Sequence, residues 1–399
     1  MIERQTKAFW RAAVALACSS IFIFATVYYP QPLLPYFTEE FSISSVEAGL
    51  LISLPLIVLG LSFFMYSGLT DAFGRKNVLM ASVIAGLLAT VLIAFSPGFW
   101  TMLILRMVQA AALAAIPVTG MAYISEEFTP RALAVVVGIY ISANSIGGMG
   151  GRFLSGVTVD ALGWRGSFLL LAAVSIVLLF VIWRLLPSAQ EFQAKPFRFK
   201  RLTADHLEHL KNKQLRAAYM VGGLHFFLFI GIYNYITFYL SAPPFYASAA
   251  LLGLLFLTYA AGTVSSTMAG KAAQWIEKPS VMAIGMVFMA AALLLTLIPN
   301  LGVVVIALLL LSFGFFLAHS SATAFVAEHA KGKTSSASGI YLSSYYLGGG
   351  LGNFYYGGLW EWFLWPGVIA GSFIVLAVTS GYVLRLHRSV QPEDLRKGA

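Results

Sequence analysis

The chain has 399 residues, 59% of them hydrophobic and only 10% charged, with a mean hydropathy of +0.83. Soluble globular proteins carry roughly 25% charged residues, so this composition excludes a soluble enzyme or regulator and marks an integral membrane protein. The net charge of +9 belongs to membrane topology and not to nucleic-acid binding, and the single cysteine, Cys18, excludes an internal disulfide framework and a cysteine-rich metal site.

Apolar runs long enough to span a bilayer, about 20 residues each, fall near 9–33, 46–69, 78–96, 99–124, 132–159, 165–186, 217–240, 250–273, 280–298, 302–326, 336–360 and 364–385. Pro97-Gly98, Pro243-Pro244, Pro279 and Pro299-Asn300 punctuate the boundaries, where a continuing helix would lose a donor and clash. The expectation is an all-α membrane protein of twelve transmembrane helices. With both termini on the cytoplasmic side, the inner segments and tails collect 22 of the 25 Lys and Arg, leaving Arg165 outside and Arg106 and Arg152 within spans. That asymmetry predicts an N-in, C-in orientation, and the expected home is a bacterial inner membrane.

In the first span, Ala15-Leu16-Ala17-Cys18 faintly resembles a lipoprotein cleavage site, but apolar sequence continues long after it, so the helix is read as uncleaved. The span closes on Tyr28-Tyr29-Pro30-Gln31-Pro32. Its rings offer apolar faces with hydroxyl handles, which makes Tyr28 and Gln31 candidates for contact with an amphipathic ligand. The second span leads into a predicted loop, Ser67-Gly-Leu-Thr-Asp71-Ala-Phe-Gly74-Arg75-Lys76. Gly74 permits a tight turn, Asp71 can sit against the positive end of a neighbouring helix, and Arg75 and Lys76 hold the loop on the cytoplasmic side.

In the fourth span Arg106 and Gln109 share a face. Ionisable groups inside a membrane are costly enough to be functional candidates by default. Glu127 ends this span, and Arg131 follows at the start of the fifth. The fifth span carries Asn144, Gly148 and Arg152 on one face and Gly147, Gly151 and Ser155 on another. Small residues let helices approach closely in lipid; packing alone explains the glycines but not Arg152.

The polar stretch 187–216 links two halves, expected as bundles 1–186 and 217–399. Its basic residues could bind a partner or anionic headgroups, or simply form a solvated connector. Beyond it, the seventh span aligns His225 with Phe229 and Tyr233, next to Asn234, and the eighth carries Tyr259. The tenth aligns His319 with Ser312, Phe316 and Thr323, and the eleventh carries Tyr345. Both histidines read as packing or as site residues. Some aromatics, Trp360, Trp362 and Trp365 among them, fit an interfacial belt, and Met282 and Met286 fit packing better than a soft-metal pair.

The second half repeats the first at an offset of 201: Gly138/Gly339, Tyr140/Tyr341, Gly147/Gly348, Gly151/Gly352, Gly156/Gly357, Asp160/Glu361 and Trp164/Trp365. Asn144, Gly148 and Arg152 thereby pair with Tyr345, Gly349 and Asn353. Two copies of a membrane unit predict two six-helix bundles related by pseudo-twofold symmetry and enclosing a site, as in many secondary transporters.

On Leu69, Asp71, Gly74, Arg75 and Lys76, the chain resembles the major facilitator superfamily, whose signature here is G-x-L-x-D-R-x-G-R-K. Ser67 and Ala72 depart from it. The resemblance implies an alternating-access transporter in which Asp71 helps close the cytoplasmic side against helix 11, with Gly74, Arg75, Lys76, Glu127 and Arg131 in the same latch. LILRMVQ resembles the family's helix 4 motif, and the glycines of helix 5 resemble its antiporter motif without the proline. YYPQPLLPYF and IYNYITFYLSAPPF look like the YnfM-like, acriflavine-sensitivity branch, which implies efflux. The sequence has no G-x-x-x-x-G-K-[ST] and no enzyme signature, so an ATP-driven pump is not expected, nor any cofactor or metal.

No Asp or Glu lies mid-span, so electrostatics favours an anionic, zwitterionic or neutral amphipathic substrate, and proton coupling would fall to the histidines or to acids near the ends. The leading expectation is proton-coupled efflux of amphipathic small molecules by a functional monomer. Proton-coupled uptake of a small anionic or polar metabolite is the alternative, and a sensor that binds without transporting is a third.

Overall fold

The structure, a computed structural model, describes residues 1–4, 6–189, 209–330 and 334–394. It is almost entirely helical: α1 Lys7–Tyr28, α2 Leu34–Phe41, α3 Ser45–Phe73, α4 Arg75–Ala94, α5 Phe99–Leu113, α6 Ala115–Glu127, α7 Pro130–Leu185, α8 Lys213–Ser241, α9 Ala249–Leu255, α10 Ala260–Ala272, α11 Lys278–Leu295, α12 Leu301–His329 and α13 Thr334–Asp394. Ten helical stretches among the described residues are long and apolar enough to cross a membrane. Two of these are double length, broken at Gly163 (φ 63°) in α7 and at Leu364 (φ 54°) in α13, so the ten stretches make twelve crossings.

Several boundaries differ from the sequence expectation for local reasons. The first span ends at Tyr28, because Pro30, Pro32 and Pro35 cannot donate to preceding carbonyls; a 3₁₀ turn at Gln31–Leu33 and the short α2 follow. The loop expected at 67–76 contracts to one residue: α3 runs to Phe73, α4 begins at Arg75, and Gly74 alone (φ 89°) makes the turn in a conformation that L side chains rarely adopt. The fourth span divides at Ala114, where Pro117 leaves the Leu113 carbonyl without its helical donor. A capping box starts α3, with Glu47 N donating to Ser44 Oγ (3.2 Å) and Ser44 N to Glu47 Oε2 (2.8 Å).

The chain divides into two compact units, Met1–Phe199 with Ser248–Phe256, and Lys200–Ala247 with Leu257–Ala399. Both use the same close helix contact. In the first unit, a Cβ on Gly147 would lie 2.6 Å from Ile21 O, and one on Gly151 would lie 2.5 Å from Ala25 O, so α7 seats directly on the backbone of α1. In the second unit Gly348 and Gly352, each 201 residues further on, press against the backbone of Gly223 and Phe227, each 202 further on than Ile21 and Ala25. The repeat is thus physical as well as textual, with small residues admitting one helix to its neighbour's backbone at equivalent places.

Candidate functional site

In the first unit the site begins where α1 ends. The last carbonyls of a helix lack intrahelical partners, and Arg106 supplies them: Nη1 donates to Thr26 O (2.9 Å) and Nη2 to Val27 O (2.5 Å). Nη2 also reaches Leu51 O at 3.4 Å, the carbonyl whose helical donor would have been the missing N–H of Pro55. Gln109 extends the network, accepting from Arg106 and donating to Thr90 Oγ1 (2.7 Å). Placing an Arg inside a span costs about 2.5–3.5 kcal/mol on insertion scales. Charge-assisted hydrogen bonds contribute about 1.5–3 kcal/mol each, so these contacts offset that cost. Arg106 is 1% exposed. It positions the end of α1 through the backbone and presents no open face to a ligand.

What it positions is a second cluster. Arg152, on the fifth span, donates from Nε to Gln31 Oε1 (2.7 Å) and from Nη1 to Gly148 O (2.8 Å). Its guanidinium lies 4.1 Å from the Tyr28 ring centroid and 4.7 Å from that of Phe256. A delocalised cation among aromatic faces is worth about 2 kcal/mol when desolvated. Phe256 arrives on the segment Ser248–Phe256, which packs into this unit because Gly253 and Gly156 meet face to face; a Cβ on Gly253 would stand 2.8 Å from Arg152 O. Asn144, half-buried and two turns before Arg152 on α7, accepts from Ser20 Oγ.

At the α3–α4 turn Arg75 is buried and forks onto Glu126, with Nε to Oε2 at 3.0 Å and Nη2 to Oε1 at 2.6 Å, while Nη1 donates to Thr70 Oγ1. Lys76 Nζ caps α7 through Leu186 O (2.6 Å). Glu127 is buried and its carbonyl accepts from Ile2 N, in a two-residue bridge of the N-terminus onto Phe128. Arg131 is exposed on the first turn of α7. Asp71 lies in the last turn of α3, and its side chain falls outside the described residues. The second unit has a matching tie, Lys278 Nζ to Glu328 Oε1 at 2.7 Å.

The second unit holds the two histidines in an aromatic mass. The His319 ring stacks on Phe315 (5.7 Å, 8° between planes) and lies 4.7 Å from Tyr345, and its Nδ1 shares a 2.9 Å hydrogen bond with Tyr341 OH. Tyr345 in turn stacks on Phe226 at 3.8 Å. His225 is 1% exposed, and neither ring nitrogen has a hydrogen-bond partner among the described residues. Tyr233 OH shares hydrogen bonds with Thr258 Oγ1 (2.7 Å) and Ser312 Oγ (2.8 Å), and Tyr259 lies edge-on to its ring at 4.6 Å. Asn234 Nδ2 donates to Asn353 Oδ1 (3.3 Å).

Tyr28, Gln31 and Arg152 therefore come together, as do His319, Tyr345, Tyr233 and Tyr259 through Phe229 and Phe315. Arg106 and Gln109 form a separate buried network. Tyr341, Asn353, Phe256 and Glu126 also take part in these contacts. The repeat already placed Tyr341 opposite Tyr140 and Asn353 opposite Arg152, whereas Phe256 and Glu126 carried no distinguishing signal. Among the described residues no group of three or more His, Cys, Asp or Glu could hold a metal ion.

The profile of the Major Facilitator Superfamily matches residues 16–353. The chain is 30% identical over 398 residues to an uncharacterized MFS-type transporter, YybF, of Bacillus subtilis, covering 99% of this chain and 98% of that protein. It is 33% identical over 389 residues to the inner membrane transport protein YnfM of Escherichia coli, covering 97% and 93%. The fold superposes on a bacterial homologue of the human lysosomal transporter Spinster with a TM-score of 0.81 at 14% identity, covering 97% and 98% of the two chains. With a duplicated twelve-crossing architecture and full-length similarity to these transporters, the chain is a multi-pass, non-enzymatic membrane transporter and belongs to the major facilitator superfamily.

Proposed function

We propose that this transporter exports amphipathic small molecules in exchange for protons, by alternating access, as a monomer with both termini in the cytoplasm. The observation that carries the reading is His319: a half-buried imidazole between Phe315 and Tyr345, its Nδ1 engaged by Tyr341 OH. Aromatic faces accept an apolar ligand body. An imidazole nitrogen can take up and release a proton. No carboxylate lies in the middle of any span to take that role, and the chain has no nucleotide-binding loop. The distribution of Lys and Arg supports the orientation.

The chemistry of the first unit adds a preference. Arg152 with Tyr28 and Phe256 offers a cation already enclosed by rings, which favours anionic, zwitterionic or neutral ligands over cations. The same feature supports the second reading, proton-coupled uptake of a small anion. Proteoliposomes with an imposed pH gradient and a panel of anionic, neutral and cationic compounds separate the readings. Substrate moving against its own gradient, opposite to protons, supports exchange. Movement with protons supports uptake, and binding without flux supports a sensor.

A further inference from the structure

A groove of about 560 Å³ opens in the second unit between the start of α8 and the end of α13. On α8, Lys213, Arg216 and Met220 recur at i, i+3 and i+7, so they share one face. On α13, Tyr382, Arg385 and Leu386 turn toward the same space. Leu386 is buried and makes an apolar floor, while Lys213, Arg216 and Arg385 are exposed at the rim. Arg385 lies 5.3 Å from the Tyr382 ring centroid, which props its guanidinium along the groove. Among the described residues no acidic side chain lines it, and no carboxylate stands within ion-pair distance of these three cations.

Membrane topology explains cations near the ends of spans, but it does not explain their convergence on a concave, apolar-floored cleft. The start of the seventh span and the end of the twelfth lie at the same end of this unit, where the apolar runs give way to charged sequence. An anionic headgroup there would meet three cations while its glycerol and upper acyl carbons lie against Met220 and Leu386. We infer that this groove binds the phosphate of an anionic phospholipid, with Arg216 and Arg385 forking onto its oxygens and Lys213 adding a point charge. A zwitterionic lipid brings its own ammonium to the same place and is disfavoured. The inference stands independently of the direction of transport.

The test uses the full purified chain, with bound lipid counted by native mass spectrometry after exchange into equal mixtures of phosphatidylglycerol and phosphatidylcholine. Three cations near a lipid phosphate predict up to about a hundredfold preference for phosphatidylglycerol. The triple variant Lys213→Gln/Arg216→Gln/Arg385→Gln is expected to lose at least about tenfold of that preference. Arg216→Lys/Arg385→Lys keeps the charge and is expected to keep most of it. The single variant Arg385→Gln gives the same reading, with a smaller loss, if the triple variant does not fold. Unchanged preference in the Gln variants overturns the site. Equal displacement of lipid by millimolar inorganic phosphate overturns the lipid assignment and leaves a soluble-anion site.

Discussion

Asn353 occupies in the second unit the place that Arg152 holds in the first, 201 residues earlier, and each has a polar tie: Arg152 Nε donates to Gln31 Oε1, just past the end of α1, at 2.7 Å, and Asn353 Oδ1 accepts from Asn234, within α8, at 3.3 Å. Duplication preserved a polar tie at this position while only one copy kept a charge. The charged copy is also the one clasped by aromatic rings.

Arg152→Ala is expected to lower initial flux by about 30-fold at matched membrane insertion, because a desolvated cation–π contact is worth about 2 kcal/mol and each 1.4 kcal/mol is tenfold. Arg152→Lys retains charge but not the planar fork, and an intermediate loss is expected. Proteoliposome rates read this directly. Wild-type flux in Arg152→Ala would make the cluster packing alone.

Arg106 acts on stability first. Arg106→Gln leaves Val27 O of α1 and Leu51 O of α3 without that donor, each costing about 1–3 kcal/mol, while Thr26 O keeps Tyr29 N at 3.4 Å, and it is expected to lower the midpoint of thermal unfolding together with transport. Leu51 O lacks its helical donor because residue 55 is proline. Pro55→Ala restores that donor and is therefore expected to recover part of the stability of Arg106→Gln. An Arg106→Gln protein with wild-type melting would contradict this role.

Those contrasts show what the sequence could convey. Apolar length, proline punctuation and the 201-residue repeat made the twelve crossings legible, and Gly74 was readable as a turn residue. Leu364 was not, since nothing in its side chain announces a positive φ. Arg106 stood out as a charge in a span beside Gln109, but its other acceptors are backbone carbonyls, which every residue carries; only Pro55 and Pro30 hint at which lack a helical donor. Glu126 and Glu127 are neighbours in sequence about 100° apart on a helix, and the direction of Arg75 from the turn decides between them. The partnership of Phe256 with Arg152 depends on two glycines, Gly156 and Gly253, meeting across nearly 100 residues of chain.

The Arg75–Glu126 fork holds the α3–α4 turn to the end of α6. Glu126→Gln is expected to cost about 1.5–3 kcal/mol, the range for hydrogen bonds to charged groups, and to raise the reactivity of a cysteine placed at Asn77. Exchange of the two charges, Arg75→Glu with Glu126→Arg, is expected to restore most of the loss. Additive losses in the double variant would show that the two residues act separately.

Gly253→Val places methyl groups against Arg152 O and the Gly156 backbone. It is expected to push α9 away from α7, to loosen the ring of Phe256 from Arg152, and to cut flux at least tenfold, a change of about 1.4 kcal/mol. Labelling of a cysteine at position 256 checks the separation. Unaltered labelling with unaltered flux would place the glycine contact outside the working cycle.

The proposed exchange of substrate for protons through His319 is tested by recording substrate and proton movement in the same sealed proteoliposomes, for the wild type and for His319→Gln. Wild-type substrate flux is expected to drive protons in the opposite direction. His319→Gln is expected still to exchange labelled for unlabelled substrate but no longer to move protons or respond to a pH gradient. Protons moving with the substrate, or full coupling in His319→Gln, would contradict it.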